Sequence, residues 1–432
     1  MQPNLAYDAT MSEFPRMIRV RQQFASDKVA DVQDAVRTQL SSLSLENHVQ
    51  AGQSVAITAG SRGIANIASI IRTTVEYFQS LGAVPFVVPA MGSHGGATVE
   101  GQLQLLADYG ITEDGIGAPI RVTMETVVVG QTQQGVPVHF DKHAFDADHV
   151  VVCNRVKAHT GFVGRIESGL HKMMLIGLGN HNGAKIYHQA IASLTFEQII
   201  RSVGDSVIKN CGILCGLAIV ENPYDETGHI EAVSPQDFFE RECELLAMSK
   251  EWLPSLPFGD VDLLIVDRIG KNISGTGMDT NVIGRKYNDH ESRPDDRVQS
   301  KRILVRGLTP ESHGNATGIG MAEFTTQQCV DGIDRVKTNV NAITGNHPEA
   351  GMIPLVYPTD ADAVKAALST VGMVSPKDAR VIQIADTLHV SECLVSEAYL
   401  PEIQANAAIE ILESAAEMKF DPSGTLRDTL IK

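Results

Sequence analysis

Short apolar runs separated by amphipathic stretches recur along the chain, the rhythm of an α/β protein. Residues 17–21 read as a leading strand and 28–40 as a helix. Ser54–Ala59 is a short apolar strand ending in the turn Gly60-Ser61-Arg62-Gly63. Ile64, Ile67, Ile71, Val75 and Phe78 follow at helical spacing, which predicts a helix over 66–81 closed by Gly82. Residues 85–89 form the next strand, so this is a βαβ unit and implies a parallel sheet. That strand runs into Met91-Gly92-Ser93-His94-Gly95-Gly96-Ala97-Thr98, where Thr98 can cap a helix over 99–109. Residues 126–132 and 136–140 alternate about Gln133-Gln134-Gly135 as a hairpin, and 149–153 is a further core strand.

Beyond His188 the pattern predicts a helix over 195–209, a strand over 213–220 and a helix opened by Ser234-Pro235. Pro254 to Pro257 marks a domain boundary. After it come strands at 261–267, 301–305, 353–356 and 380–384, with helices at 322–333, 360–369 and 405–417. A chain of 432 residues exceeds one ordinary core. The expected fold is therefore α/β, with two α/β domains built on parallel or mixed sheets and an active-site cleft between them. Residues 1–255 would carry the chemistry and 256–432 would close over it.

Composition narrows the function classes. A net charge of −17 argues against non-specific nucleic-acid binding, which needs a basic face. The first residues lack a basic stretch followed by an apolar run, so no secretory signal is expected, and no 18-residue apolar stretch predicts a membrane span. Cys153, Cys211, Cys215, Cys243, Cys329 and Cys393 show no CxxC spacing; buried thiols and a cytoplasmic location are expected.

The chemistry concentrates in residues 152–188, where Lys157, His159, Arg165, Glu167, His171, Lys172, His181, Lys185 and His188 are interleaved with glycines. His94 and His159 each follow a core strand, and ligands bind at the carboxyl ends of strands in open α/β sheets. Two imidazoles on one rim could form an acid/base pair facing a substrate. Lys172, beside the apolar run Met173 to Ile176, has a reason for a lowered pKa, as a nucleophilic lysine needs. His188 could bind a metal, although there is no HExxH and no zinc spacing. The turn holding Ser61 and Arg62 sits at a helix N-terminus and suits an anion. Gly177, Gly179 and Gly183 only loosely resemble a dinucleotide fingerprint. In the second domain, Gly270-Lys271-Asn272-Ile273-Ser274-Gly275-Thr276-Gly277-Met278-Asp279 follows a strand and could bring Lys271 over the cleft.

Gly92-Ser93-His94, then Arg155-Val156-Lys157-Ala158-His159, then a glycine-containing loop to Lys172, then His188, together resemble the lactate racemase family of nickel-pincer-nucleotide enzymes. The resemblance spans both domains and is strongest over 50–190. It implies a 2-hydroxy acid racemase or epimerase using Ni(II) pyridinium-3,5-bisthiocarboxylic acid mononucleotide. Lys172 would hold that cofactor through a thioamide, and His188 would complete the square-planar nickel set. His94 or His159 would take the hydroxyl proton while hydride moves reversibly between the α-carbon and the cofactor. Ser61, Arg62, Gly177 and Gly179 would serve the cofactor or a carboxylate, and Lys271 would polarise the carboxylate or keto group. The loop from His159 to Lys172 is longer than in lactate racemase and holds Arg165 and Glu167. The turn at Ser61-Arg62 is reduced, and the Lys271 motif differs. These departures point to a larger or more polar 2-hydroxy acid, such as a sugar acid. Implied partners are that substrate and cofactor-synthesis proteins, with a homo-oligomer left open. The alternatives are a nicotinamide-dependent 2-hydroxy acid dehydrogenase and a non-catalytic metal- or nucleotide-binding protein.

Overall fold

The apolar runs, bounded by glycine, proline and polar residues, become strands in the computed structural model, which describes residues 14–61, 63–190, 193–427 and 430. In chain order the first half gives β1 (Arg16–Gln22), β2 (Ser54–Ala59), β3 (Val84–Pro89), β4 (Thr126–Gln131), β5 (Pro137–Asp141), β6 (His149–Arg155), β7 (Ile213–Glu221) and β8 (Thr227–Val233). The second half gives β9 (Asp260–Val266), β10 (Gln299–Val305), β11 (Phe324–Thr326), β12 (Leu355–Tyr357), β13 (Val381–Ile384), β14 (Glu392–Ser396) and β15 (Ile409–Glu417).

The chain divides into two compact units, Ala25–Leu253 and the segment up to Phe24 together with the chain from Pro254. The first is built on a five-stranded sheet of order β3-β2-β6-β7-β8. Its first four strands are mutually parallel, and β8 returns antiparallel to β7. Both faces are covered, which explains why β6 reads as an unbroken apolar run. Val150 and Val152 pack into one core with Leu170, Met174 and Val203. Val151 and Cys153 pack on the opposite face with Ile57, Ile71 and Leu217. The expected hairpin is present as β4 and β5, a separate antiparallel pair.

The second unit carries an eight-stranded mixed sheet of order β12-β11-β10-β9-β13-β14-β1-β15. From β12 to β13 the strands are parallel, and β14, β1 and β15 extend the sheet in antiparallel fashion.

Several expectations change here. The leading strand, placed with residues 1–255, instead lies between β14 and β15 in the sheet of the second unit. The helix expected over 405–417 is strand β15, preceded by a short helix, Leu400–Ala405. Its alanines and glutamates favour a helix locally, but pairing with β1 wins, with Glu413 held by Arg19 at 3.0 Å. The helix expected over 322–333 is strand β11 followed by the short helix Gln327–Asp331, because Phe324 and Thr325 complete the parallel ladder beside β10. Strands β8 and β14 went unpredicted. The glycine-rich stretch before His188 is a helix, Asn180–Ala190, in which Gly183 fits against Tyr187.

Candidate active site

Strands β3, β2 and β6 end side by side, so the loops that follow them share one rim. All three loops pack on a single turn. Leu170–Lys172 begins as an α-helix and continues as a π-helical turn, Met173–Gly177, a rare geometry that gathers at functional sites. Asn154, near the end of β6, donates from Nδ2 to the Gly169 carbonyl at 2.8 Å and fixes where the turn starts. A Cβ at Gly60 would lie 3.2 Å from the Met173 methyl. The Gly92 N–H donates to the Gly177 carbonyl at 3.3 Å. Gly177 approaches so closely that a Cβ there would lie 2.8 Å from the Ala90 carbonyl oxygen. Lys172 therefore stands, half-buried, where the loops after β2, β3 and β6 converge.

The loop after β2 meets the loop after β3 through a hydrogen bond between the Ser61 hydroxyl and His94 Nδ1. Tyr109 donates from its hydroxyl to the Ser61 carbonyl at 2.9 Å. Thr98 caps the helix Val99–Asp108 by accepting from the Gly101 N–H at 3.0 Å, which holds the far end of the His94 loop. Behind them, Arg155 pairs with Glu221 across the ends of β6 and β7, and the other Glu221 oxygen accepts from the Ala65 N–H at 2.7 Å.

Past β6 the alternation of a strand persists. Val156 and Ala158 are buried, while Lys157 and His159 are half-buried. Glu167, with its side chain fully buried, closes this loop on itself. One carboxylate oxygen accepts from the His159 N–H at 2.8 Å, and the other pairs with Lys250 at 2.7 Å. The His159 ring stacks on Phe162 at 4.2 Å between centroids, and Phe162 stacks on Phe196 at 4.0 Å. The Lys172 amine lies 5.8 Å from the centre of the same Phe162 ring, so His159 and Lys172 share one aromatic neighbour. Sequence alone did not reveal Phe162 or Lys250, because Phe162 is held by Phe196 and Lys250 by Glu167, both far along the chain.

The remaining residues sort differently. His171 is buried and hydrogen-bonded through Nδ1 to buried Glu242 at 2.8 Å, which anchors the start of the turn. Gly177 and Gly179 are buried, and a Cβ on Gly179 would lie 2.5 Å from the Leu175 carbonyl oxygen, so both serve close packing of the turn. His188 lies in the helix Asn180–Ala190, but its side chain is outside the described residues, as is Arg62. Lys271 belongs to the other unit, in the loop after β9, where its amine donates to the Gly275 carbonyl. Burial pushes the thiols of Cys153 and Cys215 up to about 12, so neither is a nucleophile near neutral pH.

Residues 10–198 match the family model described as the lactate racemase N-terminal domain. That span includes His94, His159, Lys172 and the whole convergence on the π-helical turn. Over that span the chain carries a lactate racemase N-terminal domain. One solved structure shares the fold. The lactate racemase apoprotein from Thermoanaerobacterium thermosaccharolyticum superimposes with a TM-score of 0.51 at 14% identity, over 86% of this chain and 94% of that one. A crystal structure of a Thermotoga maritima protein aligns with a TM-score of 0.44 at 13% identity, over 76% of this chain and 83% of that one. No curated protein matches the sequence. A lactate racemase N-terminal domain points to a racemase-type function, and no helix among the described residues is long and apolar enough to cross a membrane.

Proposed function

We propose that the chain is a racemase or epimerase that inverts the α-carbon of a 2-hydroxy acid, in the cytoplasm, with a nickel-pincer nucleotide supplied by cofactor-synthesis proteins. One observation supports this above the others. The two histidines of the lactate racemase pattern sit on loops at one rim of one sheet, and its lysine on the turn where those loops converge, all within the matched domain. The residues present fit the cofactor in kind. Lys172 offers a primary amine at the point of convergence, beside an aromatic face. His188 follows on the next helix and would supply one nitrogen ligand. When bound, the nucleotide supplies a reversible hydride acceptor.

The chain's own groups do the rest. His94 and His159 move or hold the hydroxyl proton, and the Ser61 hydroxyl orients the His94 ring. Arg62 and Lys271 would bind carboxylate or phosphate. Gly177 and Gly179 let the turn beneath Lys172 pack tightly. The added length of the loop over 160–167 is read here as favouring an acid larger or more polar than lactate, such as a sugar acid.

Intact mass and nickel content test the reading after co-production with cofactor-synthesis proteins. The wild type should carry a covalent adduct and about one nickel, since one lysine and one histidine would hold one cofactor. Lys172→Ala should lose the adduct, and His188→Ala should keep it while losing most of the metal. A wild type with neither adduct nor nickel would return the dehydrogenase and the non-catalytic metal- or nucleotide-binding readings to first place.

A further inference from the structure

Glu242 is a carboxylate wholly shielded from solvent, which a charged group tolerates only when its partners are close and fixed. Both partners belong to one residue. Its Oε2 accepts from the backbone N–H of His171 at 3.0 Å and from the His171 ring at Nδ1, 2.8 Å away. His171 immediately precedes Lys172. The turn that carries this lysine opens on Gly169, which has no side chain with which to cap it. Glu242 supplies the missing acceptor from another part of the chain. Gly169 leaves room for it, since a Cβ there would lie 2.5 Å from Glu242 Oε1.

The same helix also holds His159. Glu242 lies in the helix Phe238–Glu251, and Lys250 follows it after about two turns, on nearly the same side. Lys250 pairs with Glu167 at 2.7 Å, and the other oxygen of Glu167 accepts from the His159 N–H at 2.8 Å. At the start of the helix, Phe238 and Phe239 meet the His171 ring edge-on at 6.3 Å and 6.1 Å between centroids. The His159 loop and the Lys172 turn are therefore fastened to one rod, and both side chains meet the Phe162 ring.

We propose that the helix Phe238–Glu251 sets Lys172 against His159, with Glu242 and Lys250 as its two positioning residues. This rests on the reading of Lys172 as the cofactor-bearing lysine and His159 as a substrate-facing residue. Glu242 acts through His171, and Lys250 acts through Glu167. Such placement has a large effect, because a shift of about 1 Å between groups that must align costs roughly a hundredfold in rate.

Hydrogen–deuterium exchange of the full chain, read by mass spectrometry over 157–167 and 169–177, separates the two clasps. Lys250→Met keeps the apolar stem and removes the charge. It should speed exchange over 157–167 about tenfold, the size of one lost charge-assisted hydrogen bond, and leave 169–177 unchanged. Glu242→Leu should do the reverse. Lys250→Arg and Glu242→Gln, which keep a donor and an acceptor, should exchange like the wild type. Exchange that rises evenly over the whole unit, or in neither segment, overturns the proposal. Should Glu242→Leu fail to fold, Lys250→Met and its arginine counterpart decide the matter by the same criteria. After co-production with cofactor-synthesis proteins, intact mass should show about tenfold less adduct in Glu242→Leu than in the wild type, and a full adduct in Lys250→Met. Equal adduct in Glu242→Leu and wild type overturns the role given to Glu242. Localised exchange in a chain whose wild type takes no adduct would overturn the cofactor reading, and with it the purpose given to the helix, while both clasps would stand.

Discussion

At the scale of single residues, charge and hydrogen bonding set the positions that matter. Glu167 illustrates what sequence could not convey. It stood out only as an extra acid in a polar loop, yet it is buried and holds His159 from one oxygen and Lys250 from the other. That role depends on a partner 83 positions away, which no local spacing encodes. His94, His159 and Lys172 were legible because each follows a recognisable strand or precedes an apolar turn. His347 offers a test of charge in the second unit. Its hydrogen bond to Asp289 raises its pKa above the ordinary 6.5. A group with a raised folded-state value stabilises fully below its unfolded pKa and loses that contribution as pH rises through the folded one. Thermal melts should therefore show His347→Gln less stable than wild type in mild acid, with the gap closing in alkali. A gap that persists or widens with pH would contradict the pairing.

At the scale of elements, the turn Leu170–Gly177 organises the rim. An apolar run of Met173 to Ile176 reads equally well as strand or helix, since periodicity cannot separate short buried segments. Tertiary packing makes it a π-helical turn, because the loops at Gly60, Ala90 and Gly92 press against it. Gly177→Ala should reveal that pressure. Its Cβ would meet the Met173 sulfur at 2.6 Å and the Ala90 carbonyl oxygen at 2.8 Å. Overpacking of this kind costs about 1–3 kcal/mol, readable as a lower midpoint in urea unfolding. An unchanged midpoint would mean the turn has room to spare. One helix cap, by contrast, was plain in the sequence, and the structure adds another. Thr98 caps its helix, and Thr195 forms a reciprocal capping box with Gln198.

At the scale of the molecule, β1 breaks the simple order of domains. It lies between β14 and β15, so residues Ala25–Leu253 form an excursion from a unit that both precedes and follows them. That excursion has cores on both faces of its own sheet, and expressed alone it should unfold in one cooperative transition by circular dichroism. Deleting 14–24 from the full chain should instead unfold the other unit, because β14 and β15 would lose the strand that joins them. By itself the sequence determined the α/β class, the parallel βαβ start, the Thr98 cap and the rim histidines, because each rests on neighbours a few residues apart. Tertiary structure alone decided the place of β1, the strand at Ile409–Glu417, the π-helical turn and the stacking of His159 on Phe162. Those depend on partners brought together by folding, whose free energy outweighs local preference.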